Sequence, residues 1–198
     1  LLSLVNAFVP VISNASVNSV EKGFTVTVTG TLEKDSTNDA DAGSAGGFIG
    51  CGTGVQISNS DVNKLQHTPV SEPKNLQQED GSSYYGTGSK YAVSGYRYAG
   101  GYIGKAAMGS TAAIGGASVL DHVLSTTGLL SALTVVASII DSSDVYGAIG
   151  GFNVIATDGD GDTGKAGGYA GELLGVQIQN SNSYNFAHII GRESAGGY

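Results

Sequence analysis

The chain lacks several features on which common protein classes depend. It has one cysteine, so no disulfide can form within it, and it has no tryptophan and only three prolines. Lysine and arginine number nine against seventeen aspartates and glutamates, which gives a net charge of −8. That balance argues against nucleic-acid binding and against a basic membrane-surface patch, because both depend on clusters of cationic side chains. No apolar run reaches the roughly 18 residues that indicate a membrane span.

Glycine is the residue in excess. The chain has 32 glycines among 198 residues, and valine, isoleucine, threonine and serine fill much of the sequence between them. The β-branched residues favour strands, while glycine permits the tight turns that join strands. The composition therefore predicts many short strands. Cys51, which stands between two glycines, is predicted to be a small buried residue.

A six-residue motif recurs along the chain. Each copy begins with isoleucine, continues with four small or polar residues, and usually ends with valine. Several copies in one chain make the pattern a repeat, and a repeat restricts the architecture more than any local signal does. The copies are Ile12–Val17, Ile57–Val62, Ile114–Val119, Ile140–Val145 and the less regular Ile178–Ser183.

A second motif consists of Ala-Gly-Gly, an aromatic residue, an apolar residue and glycine. It occurs at Ala45–Gly50, Ala99–Gly104 and Ala166–Gly171, and its first four residues reappear at Ala195–Tyr198. The glycine pair permits a bend that a Cβ atom would block. The aromatic residue supplies apolar area that its small neighbours lack.

Both motifs belong to a longer duplication. An offset of 128 residues pairs Ile12 with Ile140 and Phe24 with Phe152, and beyond an acidic loop the offset becomes 121. A unit of roughly 20–50 residues cannot bury its own apolar face, so neighbouring units must stack and share a core. The repeats therefore predict an all-β fold, a right-handed parallel β-helix (β-solenoid), with the hand that most parallel crossovers adopt.

Residues 1–198 are predicted to form a single β-solenoid segment and a fragment of a longer repeat protein. Asn63–Gly95 is polar, contains two of the prolines, and is predicted to be an inserted surface loop. Leu1–Val9 and its partner Leu129–Ala137 carry apolar residues at helical spacing, which predicts one or two short helices. An irregular apolar crossing is the alternative for both segments.

The Ala-Gly-Gly-aromatic units, followed at Val55–Ser60 by Val-Gln-Ile-Ser-Asn-Ser, resemble the GLUG-type glycine-rich repeats of large bacterial surface proteins and adhesins. The resemblance covers Gly46–Val62, Gly100–Val119 and Gly167–Ser183. It implies an exported, non-catalytic repeat protein that is extracellular and held at the bacterial cell surface. Its implied partners are a host or neighbouring-cell protein or glycan, besides the adjacent repeats of the same chain.

An acidic loop is the sharpest chemical signal in the sequence. Asp158, Asp160 and Asp162 alternate with glycine, and alternating carboxylates suit a hard cation, above all Ca²⁺. Asp39 and Asp41 are candidates for a matching site in the first copy of the duplication. A solvated acidic turn without an ion is the alternative.

Tyrosines cluster within and beside the inserted loop. They could present an aromatic binding face to a glycan or a protein, or they could pack the insert onto the solenoid. Tyr102 follows the cluster in the second glycine motif. The predicted ligand-binding set is Tyr84, Tyr85, Tyr91, Tyr96 and Tyr98.

No catalytic constellation is visible. Asp61 and Asp144 occupy motif positions that hold Ser16 and Ser118 in other copies, which indicates corner residues rather than catalytic acids. The first prediction is therefore a non-catalytic structural or adhesive segment of a cell-surface protein, either a rigid stalk or a ligand-binding surface. One alternative is a carbohydrate-active β-helix enzyme, a lyase or glycosidase with carboxylates about 5–10 Å apart. The other is a self-assembling filament subunit, because open solenoid ends expose strand edges.

Overall fold

A computed structural model describes residues 9–19, 23–28, 43–65, 91–110, 135–148, 151–157 and 164–198. Within these ranges the chain forms strands and turns and no helix, so the predicted all-β class is confirmed. The helix predicted over Leu129–Ala137 is wrong at its end, because Val135–Val136 is a strand. The remainder of that segment, 129–134, and residues 1–8 of the first predicted helix lie outside the described ranges.

The strands follow one another in a regular order. The chain makes four passes. The first three visit five sheets, A to E, in the same sequence, and the fourth visits sheets A to D in that sequence. The strands of the first pass are β1 (Val11–Ser13), β2 (Ser16–Asn18), β3 (Val26–Thr27), β4 (Ser44–Gly46) and β5 (Ile49–Thr53). Those of the second pass are β6 (Gln56–Ser58), β7 (Asp61–Leu65), β8 (Val93–Gly95), β9 (Tyr98–Gly100) and β10 (Ile103–Ala107).

A short antiparallel pair, β11 (Gly109–Ser110) with β12 (Val135–Val136), separates the second pass from the third. The third pass then repeats the order of the first two. Its strands are β13 (Ser138–Asp141), β14 (Val145–Gly147), β15 (Phe152–Ala156), β16 (Lys165–Gly167) and β17 (Ala170–Leu174). The fourth pass consists of β18 (Val176–Gln179), β19 (Ser183–Tyr184), β20 (Phe186–Gly191) and β21 (Ser194–Gly196).

Sheets A to D take one strand from each of the four passes, and sheet E takes one from each of the first three. All strand pairs in these five sheets are parallel. Sheets A, B, C and D contain four strands each, and sheet E contains three. Sheet A has the order β1-β6-β13-β18, sheet B β2-β7-β14-β19, sheet C β3-β8-β15-β20, sheet D β4-β9-β16-β21 and sheet E β5-β10-β17. A given position in one pass therefore lies beside the same position in the next.

The pairing register turns the sequence motifs into columns of similar side chains. Ile12, Ile57, Ile140 and Ile178 are register partners in sheet A. Of these, Ile57 and Ile140 are fully buried, as are the sheet B partners Val62 and Val145. Stacking like on like lets each pass cover the apolar side chains of the pass beside it. The remaining copy, Ile114–Val119, lies outside the described residues.

The corner between sheets A and B is held by two polar positions. The first takes positive φ angles of 49–55° at Asn14, Asn59, Ser142 and Asn180, a conformation that asparagine tolerates better than most residues. At the second position serine hydroxyls link the passes. The amide of Ser60 donates to Oγ of Ser143, and the amide of Ser143 donates to Oγ of Ser181, both over 3.1 Å. The hydroxyls thus replace backbone pairing where the strands stop.

The turn between sheets D and E contains the glycine pair and an aromatic column. The rings of Phe48, Tyr102, Tyr169 and Tyr198 stack with centroids 4.9–5.0 Å apart and interplanar angles of 5–16°. Each tyrosine hydroxyl reaches across the interior to a serine of the corner column. Tyr102 donates to the carbonyl of Ser60 and Tyr169 to that of Ser143, both at 2.8 Å, and Tyr198 donates to Ser181 at 3.0 Å.

The segments at Phe24 and Phe152, which the offset of 128 residues pairs, both contribute a strand to sheet C. Phe152–Ala156 is buried in sheet C, and β3 begins two residues after Phe24, the residue that the offset pairs with Phe152. At the ends of the predicted insert, β7 continues to Leu65 and β8 begins at Val93. Residues 66–90 between them lie outside the described ranges.

Candidate functional site

The predicted tyrosine set is placed only in part. Tyr91 and Tyr98 are buried and Tyr96 is half-buried, while Tyr84 and Tyr85 lie outside the described residues. Tyr102, from the same stretch of sequence, is fully buried in the aromatic column. A ligand would therefore meet only limited area of Tyr91 and Tyr98, whose rings are mostly covered by the protein itself.

The predicted calcium ligands Asp158, Asp160 and Asp162 lie outside the described residues, as do Asp39 and Asp41. Elsewhere, within the ranges that the structure describes, no three side chains of histidine, cysteine, aspartate or glutamate come together as a metal site would require. His188 is exposed on sheet C. In the same ranges, no helix has the length and apolar character to cross a membrane.

A cluster of charged side chains lies where sheets D and E adjoin. Lys105 Nζ is 3.4 Å from Glu172 Oε2, and Lys165 Nζ is 2.9 Å from Glu172 Oε1 and 3.8 Å from Glu193 Oε2. The hydrogen bond to Glu172 is the main cause that raises the pKa of the Lys165 ammonium. Glu172 therefore joins two lysines, one in each of two neighbouring passes.

Tyr98 completes this cluster. The ammonium of Lys105 lies 4.8 Å from the centre of the Tyr98 ring, within the range of a cation–π contact. Burial, followed by the negative charge of Glu172, raises the pKa of the Tyr98 hydroxyl. The phenol thus stays protonated well above neutral pH and contributes a neutral ring to the cluster.

The register explains why these charges meet. In sheet E, Cys51, Lys105 and Glu172 are partners in three successive passes, and each follows the last glycine of an Ala-Gly-Gly motif. That shared place in the motif is the sequence signal that could have revealed the pair. It also corrects the prediction for Cys51, which is exposed because this position of the strand faces outward.

Replacing Glu172 with glutamine is expected to lower the free energy of unfolding by about 2 kcal/mol, because it removes the ion pairs of Glu172 with Lys105, whose side chain is 8% exposed, and with Lys165. Glu193→Gln is the matched control. Its side chain is 35% exposed and its ion pair is longer, so the loss should be below about 0.5 kcal/mol. Urea unfolding of both variants provides the measurement, and equal losses would contradict the role given to Glu172.

The outward face of sheet B carries a second polar constellation. Asp61 Oδ1 accepts the amide of Asp144 at 2.9 Å, and Asp144 Oδ1 accepts the amide of Asn182 at 2.7 Å. The carboxylates thus continue the corner hydrogen bonds from pass to pass. Tyr146 and Tyr184 stack beside them with centroids 4.9 Å apart, and both rings are exposed. We refer to Asp61, Asp144, Asn182, Tyr146 and Tyr184 as the sheet B face.

The chemistry of the sheet B face is that of a polar contact surface with an aromatic ridge. Tyr146 donates its hydroxyl to Asp144 Oδ2 at 2.7 Å, and this hydrogen bond raises the pKa of Tyr146 to about 12. The Tyr146 phenol is therefore a neutral donor at physiological pH, next to carboxylate and amide groups. The six-residue motif marks Asp61 and Asp144 but not the two tyrosines. Tyr146 and Tyr184 share one column, two residues after Asp144 and Asn182, and that shared place is the signal that could have revealed them.

Comparisons with known proteins do not add to these observations. No protein-family model, no curated protein and no solved structure matches the chain. The interpretation of function therefore depends on the chain's own residues and on the motif resemblance described for its sequence.

Proposed function

We propose that the chain is a non-catalytic structural and adhesive segment of an extracellular protein on a bacterial cell surface. Its fold would be a right-handed parallel β-helix, in which the four passes are successive coils. The regular strand order within each of the sheets A to E and the in-register columns support this proposal. Such a stack suits a rigid stalk, because each described pass is hydrogen-bonded to its neighbour in sheets A, B, C and D.

The most direct support for a non-catalytic role comes from the hydrogen bonds and ion pairs that the polar side chains make. The carboxylates of Asp61, Asp144 and Glu172 each accept a hydrogen bond or pair with lysine, and the corner serines bond between passes. These groups stiffen the stack where a catalytic site would require groups that converge on a substrate. The proposal of a non-catalytic role rests on this use of its polar groups.

The adhesive part of the proposal is assigned to the sheet B face. Exposed tyrosines are suited to contact surfaces because they offer a large apolar area together with a hydroxyl group. Hydroxyl-rich glycans favour such rings flanked by carboxylates and amides, so a host or neighbouring-cell glycan is the partner we put first, with a protein as the alternative. The predicted Ca²⁺ at Asp158, Asp160 and Asp162 would stiffen the loop that follows β15.

A binding assay tests the adhesive role. We expect the immobilised chain to retain glycans from a panel, and the double change Tyr146→Ala and Tyr184→Ala to weaken retention at least about tenfold, since contact aromatics often contribute more than 1.4 kcal/mol. Leu174→Ala, an exposed apolar residue on sheet E, is the control and should bind normally. Retention of protein ligands alone would favour the alternative partner, and equal binding by all variants would refute the assignment.

The proposed location has its own test. Protease added to intact cells that produce the protein should cleave it while a cytoplasmic marker stays intact. Protection of the protein until the cells are lysed would contradict a place on the cell surface.

A further inference from the structure

In sheet D, the residue of the fourth pass is exposed where the equivalent residue of the first pass is buried. Ala45 of β4 is 1% exposed, whereas its column partner in the fourth pass, Ala195, is exposed. Tyr198 is 50% exposed and Phe186 of β20 is 42% exposed. The fourth pass therefore presents an end face on which no described residue continues the columns. We call it the fourth-pass face, formed by Ser181, Phe186, Ala195, Gly197 and Tyr198.

Within the described part of the chain, steric contacts do not explain why position 197 is a glycine. A Cβ atom on Gly101 would overlap the carbonyl oxygen of Gly168 in the next pass, and one on Gly168 would overlap that of Gly197. A Cβ atom on Gly197 would meet only the Phe186 ring, at 3.2 Å. At Gly101 and Gly168 the stacking of the following pass excludes a side chain, and at Gly197 no described residue has that effect.

The backbone amides of the fourth pass lead to the same conclusion as Gly197. At the glycine turn, the amide of Gly168 donates to the carbonyl of Gly196 at 3.0 Å and that of Tyr102 to the carbonyl of Tyr169 at 2.8 Å, in both cases toward the following pass. The equivalent amides of Gly197 and Tyr198 find no acceptor among the described residues. The same holds at the corner, where the amide of Ser143 donates to Ser181 but the amide of Ser181 has no described acceptor.

We propose that the fourth-pass face binds one further pass of this same repeat, running in the same direction as the fourth. The bound pass would carry serine at the corner, to accept the Ser181 amide, and a Gly-Gly-aromatic turn to lie against Gly197 and Tyr198. The first pass of a second copy does not fit this description. It has Ala15 where the corner serine is required, and Ala45 at its turn is already covered.

This inference rests on the proposed stacking of passes, and it is independent of any adhesive role. The face continues an interface that already occurs three times within the chain. The strands at this edge, β18 to β21, also contain neither proline nor lysine, the residues that commonly block the pairing of exposed edges.

The test extends the full chain after Tyr198 by a second copy of residues 170–198, the 29 residues that separate one motif tyrosine from the next. Hydrogen exchange should slow at least about 100-fold at the amides of Ser181, Gly197 and Tyr198, which corresponds to about 2.7 kcal/mol of added protection. Gly197→Val is the matched variant. It should leave the 198-residue chain unchanged and abolish the added protection in the extended chain.

Three other outcomes are possible, and each of them would contradict the proposal. Unchanged exchange at these three amides in the extended chain, with slow exchange retained at Gly101 and Tyr102, would overturn the inference and leave the stacking intact. Fast exchange at Gly101 and Tyr102 as well would refute the stacking itself. A dimer of the unextended chain that Gly197→Val dissociates would assign the face to a second copy and would also overturn the proposal.

Discussion

Replacing Gly101 with alanine is expected to destabilise the fold by about 3 kcal/mol or more, enough to unfold much of a marginally stable chain. The added Cβ atom would overlap the carbonyl oxygen of Gly168 and lie 2.9 Å from two atoms of the Phe152 ring. Neither neighbour can move freely. The carbonyl belongs to the next pass, and Phe152 is fully buried in sheet C. Thermal and urea unfolding of the purified variant provide the measurement.

Gly197→Ala is the control for this prediction, because it makes the same change at the same motif position two passes later. Its Cβ atom would lie 3.2 Å from the edge of the exposed Phe186 ring, which can move aside. Its effect should therefore stay within about 0.5 kcal/mol. Comparable losses for the two variants would show that the glycine requirement comes from the turn itself and not from the contact between passes.

The columns of the fold could be predicted from the sequence because each repeat position has one physical role. Isoleucine recurs wherever sheet A faces the core, and the glycine pair recurs wherever two passes approach closely. Like positions must then lie side by side, since only stacking buries the isoleucines. The all-β class and the equivalence of Ile12, Ile57, Ile140 and Ile178 followed from that reasoning.

The outward positions could not be predicted in the same way, because nothing requires them to repeat. The column Cys51, Lys105 and Glu172 changes its chemistry at every pass. The interactions that these side chains make depend on the residue of sheet D that lies opposite, and the motif does not indicate which residue that is. Tyr98 shows the same limit. Aromatic clustering suggested an exposed binding residue, whereas the ring is buried against Lys105.

Raising the pH above 10 is expected to destabilise the protein steeply. Burial is the main cause that raises the pKa of both Tyr102 and Tyr169 above the ordinary value of 10. The unfolded chain therefore releases these two protons at a lower pH than the folded chain does. Stability is unaffected below pH 10 and falls as the pH rises from 10 toward the folded-state pKa values, by about 1.4 kcal/mol per pH unit for each tyrosine.

The aromatic column gives this pH effect its structural basis. Each phenol donates to a serine carbonyl in the interior, at 2.8 Å for both Tyr102 and Tyr169. A phenolate at either position would lose its donor and would place a negative charge against a carbonyl oxygen in the core. Two such groups together remove about 3 kcal/mol per pH unit, so the chain should unfold cooperatively within roughly two to three units above pH 10.

Tyr169→Phe separates this cause from a general alkaline effect. It removes one buried phenol proton, so the loss of stability per pH unit above pH 10 should become smaller by about 1.4 kcal/mol. At pH 7 the variant should lose only about 1–2 kcal/mol, because the ring stack remains and one carbonyl loses its donor. Phe48 already shows that a phenyl ring fits this column. An equal slope in Tyr169→Phe and in the unchanged chain would show that the buried phenols do not govern alkaline unfolding.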